Sequence, residues 1–285
     1  MSQSTLHEHS RDYPPAPSDV YLYATCLVDL FTPEAGIDTV RLLEHAGVRV
    51  HFPTGQSCCG QPAYTSGFPD AARTVALSQL RLFPEPWPVV IPSGSCAGML
   101  RHHYVKLFAD QPELCAEATA LAERVFELAE FLVEVLHFKP QDRGSAHSVA
   151  VHTSCSARRE MGTHEHSAAL LGQLSAVRLC QPEHATECCG FGGTFSLKHP
   201  SISAAMTQDK IDALKASSAD SFVSADCGCL LNLNHRLQKQ NDPWQGTHLA
   251  SFLCQRLGLT TTADAEAISE PSQEPIPELI QGAEK

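Results

Sequence analysis

No apolar run in this 285-residue sequence reaches the eighteen or so residues that a membrane-spanning helix needs. The amino-terminal stretch MSQSTLHEHSRDYPPAPSD likewise has no apolar segment of the signal-peptide kind. These absences predict a cytoplasmic chain without a transmembrane segment. Basic residues are scarce, with 20 Lys and Arg against 32 Asp and Glu and a net charge of −12. That balance argues against an electrostatic grip on nucleic acid or an anionic membrane surface. No GxGxxG opens a helix, so neither a flavin nor a nicotinamide site is expected, and hydride chemistry by this chain alone is not supported. The paired CxxC knuckles of a zinc site are missing too.

Cysteine, by contrast, is plentiful, at 12 residues. In a reducing compartment structural disulfides rarely persist, so metal binding or redox chemistry outranks a disulfide framework. The triplet Cys-Cys-Gly occurs twice, at 58–60 and 188–190, where this composition would produce about 0.03 by chance. The repeat extends outwards. VYLYATC ends on Cys26 and VAVHTSC on Cys155; PVVIPSGSC ends on Cys96 and SFVSADCGC on Cys229. Helix-length stretches separate these markers, so each half reads strand, helix, strand, helix, strand. The predicted fold is α/β, with two duplicated cysteine-rich units, each a small parallel sheet with packed helices. In such sheets the loops at the carboxyl ends of strands build the site, and the cysteines are expected in those loops.

The expected boundaries are 1–18 for an unstructured amino terminus, 19–143 and 144–262 for the two units, and 263–285 for an unstructured acidic tail. Residues 110–143 read as one or two helices leading into the second unit, with Pro140 to Gly144 as a hinge.

Vicinal thiols suit zinc poorly, because a tetrahedral site prefers the wider bite of a CxxC knuckle. An iron–sulfur cluster offers several irons to neighbouring thiolates. Its anionic charge favours nearby backbone N–H groups, for which Gly60, Gly190, Gly192 and Gly193 leave room. A redox-active dithiol at Cys58 and Cys59 is a further option, strained because a disulfide between adjacent residues distorts the peptide between them.

The spacing Cys26, Cys58-Cys59-Gly60, Cys96 and its copy Cys155, Cys188-Cys189-Gly190, Cys229 resembles the cysteine-rich CCG domain, found twice in the cysteine-rich subunit of heterodisulfide reductase. TCLVD, FPTGQSCCGQPA, PSGSCAGMLRHHY, CCGFGGTFS and SADCGCL are similar to the lactate utilization protein A family, the small subunit of a three-protein L-lactate oxidation system. The resemblance covers about residues 19–260. It implies an iron–sulfur subunit acting in electron transfer as L-lactate, or a similar 2-hydroxy acid, becomes pyruvate. Its partners would be B- and C-type lactate utilization proteins, one with ferredoxin-like clusters. The implied ligands are Cys26, Cys58, Cys59 and Cys96 in one half and Cys155, Cys188, Cys189 and Cys229 in the other. The heterodisulfide reductase copies end in CxxC, whereas Ser93 and Asp226 stand here in place of the earlier cysteine. Four thiolates per site point to [4Fe-4S], with Cys227 as a substitute ligand displaced by one position. Ser156 stands where relatives commonly carry His. A heterodisulfide or thiol reductase with a catalytic cluster, and a zinc-stabilised interaction module, are the alternative readings.

Cys115, Cys180 and Cys254 have no counterpart in the opposite half and are expected in the core. His102 and His103 are candidates to line a cluster or substrate pocket. His164 and His166 do not share a helical face and are expected on the surface. Arg101, Arg158 and Arg159 are candidates to hold a carboxylate, or ordinary ion-pairing cations. Gln56, Ser57, Gln61 and Thr194 are candidate hydrogen-bond donors to cluster sulfurs.

Overall fold

A computed structural model describes residues 11–260. The chain forms two four-stranded sheets of identical topology. In the first, β1 (Asp19–Leu22), β2 (Arg49–His51), β3 (Val89–Ile91) and β4 (Val125–Glu127) lie in the order β2-β1-β3-β4. In the second, β5 (His147–His152), β6 (Val177–Cys180), β7 (Ser221–Ser224) and β8 (Gly246–His248) lie in the order β6-β5-β7-β8. Every pairing is parallel, with registers such as Tyr21 to Val89 and Val151 to Val223. Parallel strands need long crossovers, which the helices between them supply.

Several of these helices start on proline, which the first turn tolerates because its N–H has no intrahelical partner. Pro33–His45, Pro69–Leu80, Pro112–Ala122 and Pro200–Ala216 are examples. In Pro33–His45 the buried Ala35, Asp38, Thr39, Leu42 and Leu43 recur at helical spacing and form one face.

Side chains on a strand alternate between its two faces, and here both faces are covered. Val20, Val90, Phe126, Val149 and Val223 turn towards one core that the two halves share. Their neighbours Tyr21, Val89, Ile91 and Val125 enter a second core of the first half, and Ala150 and Phe222 a third core of the second half. Helices seal the shared core by crossing between halves. Leu249–Leu257 lies on Pro33–His45, and Thr163–Leu171 lies on the Leu128–Val135 segment. Each fully buried Leu, Val or Phe there contributes about 1.5–3 kcal/mol relative to exposure, so the halves cannot separate cheaply.

The α/β reading with two duplicated units holds, but each unit has one more strand than expected. β4 sits inside the stretch read as purely helical, and β8 precedes the last helix. Three residues of VFE between two apolar helical runs are too few for an alternating pattern to show. Nor is the segment around Pro140 to Gly144 a free hinge. Asp142, its side chain almost wholly enclosed, accepts from Arg256 Nε and Nη2 at 2.8 Å and from the Ala176 N–H, which fastens the connection to the second half. Of the stretch expected to lack structure at the amino terminus, residues 11–18 are described. Arg11 donates to the Val125 carbonyl at 3.0 Å and lies 3.9 Å over the Phe126 ring. Residues 1–10 and the tail 263–285 lie outside the described residues. No helix among the described residues is long and apolar enough to cross a membrane.

Candidate metal centre

The cysteines follow the carboxyl ends of the strands, where open parallel sheets place their sites. Cys58-Cys59 and Cys188-Cys189 lie in loops after β2 and β6, as expected. Cys26, Cys96 and Cys229 are one step further on, inside the first turn of the helices Cys26–Phe31, Gly94–Gly98 and Cys227–Lys239. Unpaired N–H groups at a helix start favour negative charge, which suits a thiolate.

The structure brings the eight thiols of the repeat into two quartets, and both open onto one cavity of about 540 Å³ between the halves. In the first, Cys26, Cys58, Cys59 and Cys96 form a chain of sulfur contacts, with Cys59 Sγ 3.5 Å from Cys96 Sγ. In the second, Cys155, Cys188, Cys189 and Cys229 repeat that chain. No disulfide joins any of these cysteines. The glycine after each pair has a left-handed backbone, φ 85° at Gly60 and 84° at Gly190. This turns its N–H back onto the preceding thiol, so Gly60 N donates to Cys58 Sγ and Gly190 N to Cys188 Sγ, each at 3.4 Å.

These contacts sort the protons. Hydrogen bonds from Cys26 and Cys59 hold Cys58 down to about 3, and those from Cys155 and Cys189 hold Cys188 down to about 2. Their donors move the other way. Cys26 and Cys155 are raised by donating to the neighbouring thiolate and by burial, and Cys59 and Cys189 are raised for the same reasons. Contact with Cys189 pulls Cys229 down, but burial together with the negative charges of Asp226 and Cys188 outweighs it, and Cys229 is raised. Each quartet thus concentrates negative charge on its central sulfur, Cys58 or Cys188, and a metal centre would displace the protons of the thiols that donate to it. The donor set fits an iron–sulfur group.

Around the cavity the two halves are stitched by polar contacts. Ser93 Oγ and Ser95 N of the first half donate to Asp226 Oδ1 of the second, at 3.1 and 3.0 Å. The two positions at which cysteine is replaced therefore bond to each other. His103 Nε2 meets Glu160 Oε1 at 3.0 Å, and Gln61 Nε2 donates to Ser156 Oγ at 3.5 Å. Thr194 Oγ1 and Ser66 Oγ lie 2.7 Å apart. Cys227, buried against Ala24, Val28 and Ala35, accepts from Thr32 Oγ1 at 3.0 Å, and burial pushes its thiol up to about 12. It borders the cavity outside both sulfur chains.

Other candidates fall elsewhere. Gln56 ties its loop to β1 through Ala24 N and the Leu22 carbonyl, and Ser57 bonds to Gln79. Of the four expected donors, only Gln61 and Thr194 line the cavity. His102 bonds to the Glu160 carbonyl at 2.9 Å, and His103 lines the cavity. His164 and His166 are half-buried rather than exposed, paired with Glu165 and Glu134. Arg101 makes a two-pronged ion pair with buried Glu130, at 3.1 and 2.7 Å, and is not free to hold a ligand. Arg158 is partly buried, and Arg159 lines the cavity. Cys180 and Cys254 are buried and Cys115 half-buried, all outside the cavity.

One group escaped the sequence reading. His152, at the end of β5, is buried at 2 % exposure, and its ring nitrogen and the sulfurs of Cys189 and Cys229 lie within 4.8 Å of one another. The signal was a histidine in a buried strand where the first half has Tyr23.

Known proteins bear on this geometry. The cysteine-rich domain family CCG matches residues 20–101 and 149–234. Lactate utilization protein A of Geobacillus kaustophilus (strain HTA426) is 44% identical over 236 residues, covering 82% of this chain and 98% of that one. Lactate utilization protein A 2 of Bacillus cereus (strain Q1) is 39% identical over 238 residues, covering 84% and 98%. A hypothetical protein from Helicobacter pylori shares the fold, with TM-score 0.63 at 12% identity over 90% of this chain and 52% of that one. The chain therefore belongs to the lactate utilization protein A family and carries two copies of its cysteine-rich domain.

Proposed function

We propose that this chain is an iron–sulfur subunit of a multi-protein system that oxidises L-lactate, or a similar 2-hydroxy acid, to pyruvate, and that it acts in electron transfer. The observation that carries the reading is the pair of reduced thiol quartets opening on one cavity. Cys26, Cys58, Cys59 and Cys96 would hold one cluster and Cys155, Cys188, Cys189 and Cys229 the other, [4Fe-4S] in type by donor count. Such clusters supply one-electron redox chemistry when bound. The protein's own part is to place the ligands, to set Gly60 and Gly190 N–H groups on the central sulfurs, and to hold the halves together through Ser93 and Asp226. The relatives' names support lactate utilization as the setting. The partners of this reading are B- and C-type lactate utilization proteins, and its place is the cytoplasm.

The test is anaerobic. With those partners present, L-lactate should bleach the visible absorption of this chain's clusters. Loss of that response in Cys58→Ala and Cys188→Ala would support the reading, and no bleaching in the complete mixture would overturn it. A second reading is favoured by the one cavity onto which both quartets open: a reductase acting on a heterodisulfide bound there. It predicts turnover of a disulfide by the isolated chain. A colourless protein holding stoichiometric zinc would instead mark an interaction module.

A further inference from the structure

The two quartets match in their thiols but not in what surrounds them. Tyr23 precedes Cys26 by three residues, as His152 precedes Cys155. Tyr23 is satisfied, because its hydroxyl donates to the Ser57 carbonyl at 2.7 Å. His152 Nε2 is buried and has no hydrogen-bond partner. A buried polar atom left without a partner is costly, so its persistence calls for one. A nitrogen of the His152 ring and the sulfurs of Cys189 and Cys229 lie within 4.8 Å of one another. Thiols are weak hydrogen-bond partners, and a bridging water needs two to four polar neighbours, which two sulfurs do not supply well. Three soft or borderline donors within 4.8 Å of one another are what a transition metal takes.

We propose that His152 Nε2 is a fifth donor of the second site, beside Cys155, Cys188, Cys189 and Cys229, whereas the first site has four thiolates alone. The proposal rests on the iron–sulfur reading above and adds a ligand that the repeat does not encode. β5 and β7 fix its position: His152 pairs with Ser224, and the helix that begins at Cys227 carries Cys229 into reach. A fifth donor is also what the second half lacks by sequence, because Asp226 stands in place of the earlier cysteine and spends Oδ1 on Ser93 and Ser95.

The full chain, labelled with nitrogen-15 histidine and prepared anaerobically, is reduced and studied by pulsed electron paramagnetic resonance. Cys58→Ala isolates the second site and Cys188→Ala the first. A strongly coupled histidine nitrogen is expected in wild type and Cys58→Ala, and its loss is expected in Cys188→Ala and in His152→Tyr, which installs the first half's residue. Because Cys58→Ala decides the matter alone, a failure of His152→Tyr to fold leaves the test intact. Iron and sulfide present without a strongly coupled histidine nitrogen in Cys58→Ala would overturn this proposal while leaving the iron–sulfur reading standing. Absence of iron and sulfide from wild type would sink both.

Discussion

The two halves share a strand order, a cysteine spacing and a pair of left-handed glycines, yet they differ in the titratable residues that surround the thiols. Tyr23 and Tyr104 surround the first quartet, each hydroxyl donating to a carbonyl of its loop, Ser57 and Cys59. The second quartet instead has His152 beside it, with Lys210, Arg158 and Arg159 near enough to act on His152 or the sulfurs by charge. At the next matching position Glu127 and His248 both cap a helix from the end of the fourth strand, through Ala129 N and Ala250 N. Duplication preserved the backbone that gathers the thiols. Charge around the thiols diverged, and charge is one of the things that set the potential of a bound cluster.

The largest effects should come from the quartets. Cys58→Ala and Cys188→Ala should each retain about half of the wild-type iron and acid-labile sulfide, since each change removes the central thiolate of one site only. Chemical analysis of anaerobic protein checks this, and total loss in either variant would mean that the sites are not independent.

The glycines should separate the halves next. An alanine Cβ at Gly190 would lie 2.6 Å from the Ser203 carbonyl oxygen, and at Gly60 3.3 Å from that of Ala72. Gly60→Ala carries mainly the left-handed penalty of about 1–2 kcal/mol. Gly190→Ala adds a backbone clash and should cost about 3 kcal/mol or more. Urea midpoints measure the difference, and equal shifts would break the comparison.

The capping pair should differ in the sign of its pH response. Burial raises Glu127 from 4.5 to about 8, so the folded state holds a proton that the unfolded chain gives up. Its contribution falls as pH rises from 4.5 through 8, a loss that Glu127→Gln removes. Burial lowers His248 below 6.5, so its contribution is intact above 6.5 and is lost as pH falls below it. His248→Gln should flatten the acid side. Unfolding free energies from pH 5 to 8 test both.

The smallest effect is expected at Tyr23→Phe, which loses one hydrogen bond worth about 1 kcal/mol and should keep the first site's iron. A loss of iron there would make the phenol part of the site.

Much of this was legible in the sequence, because a duplicated motif identifies its own important positions. The quartets, the parallel α/β units and the core placement of Cys180 and Cys254 follow from spacing and apolar pattern. What escaped depends on contacts between distant segments. Ser93 and Asp226 read as two separate departures from a motif, and only the apposition of the halves makes them partners. The single shared cavity has the same origin. β4 and β8 are too short to carry a period, and the Pro140 to Gly144 connection looks loose until Arg256 is brought to Asp142. His152 hid because a histidine in a buried strand is usually satisfied by its neighbours, and this one is not.

That each half holds its own cluster is tested most directly by native mass spectrometry of the anaerobically purified chain. The expected mass is that of the polypeptide plus two iron–sulfur clusters, falling by one cluster in Cys58→Ala and by one in Cys188→Ala. A wild-type mass showing zinc, or one cluster that both variants abolish, would contradict it.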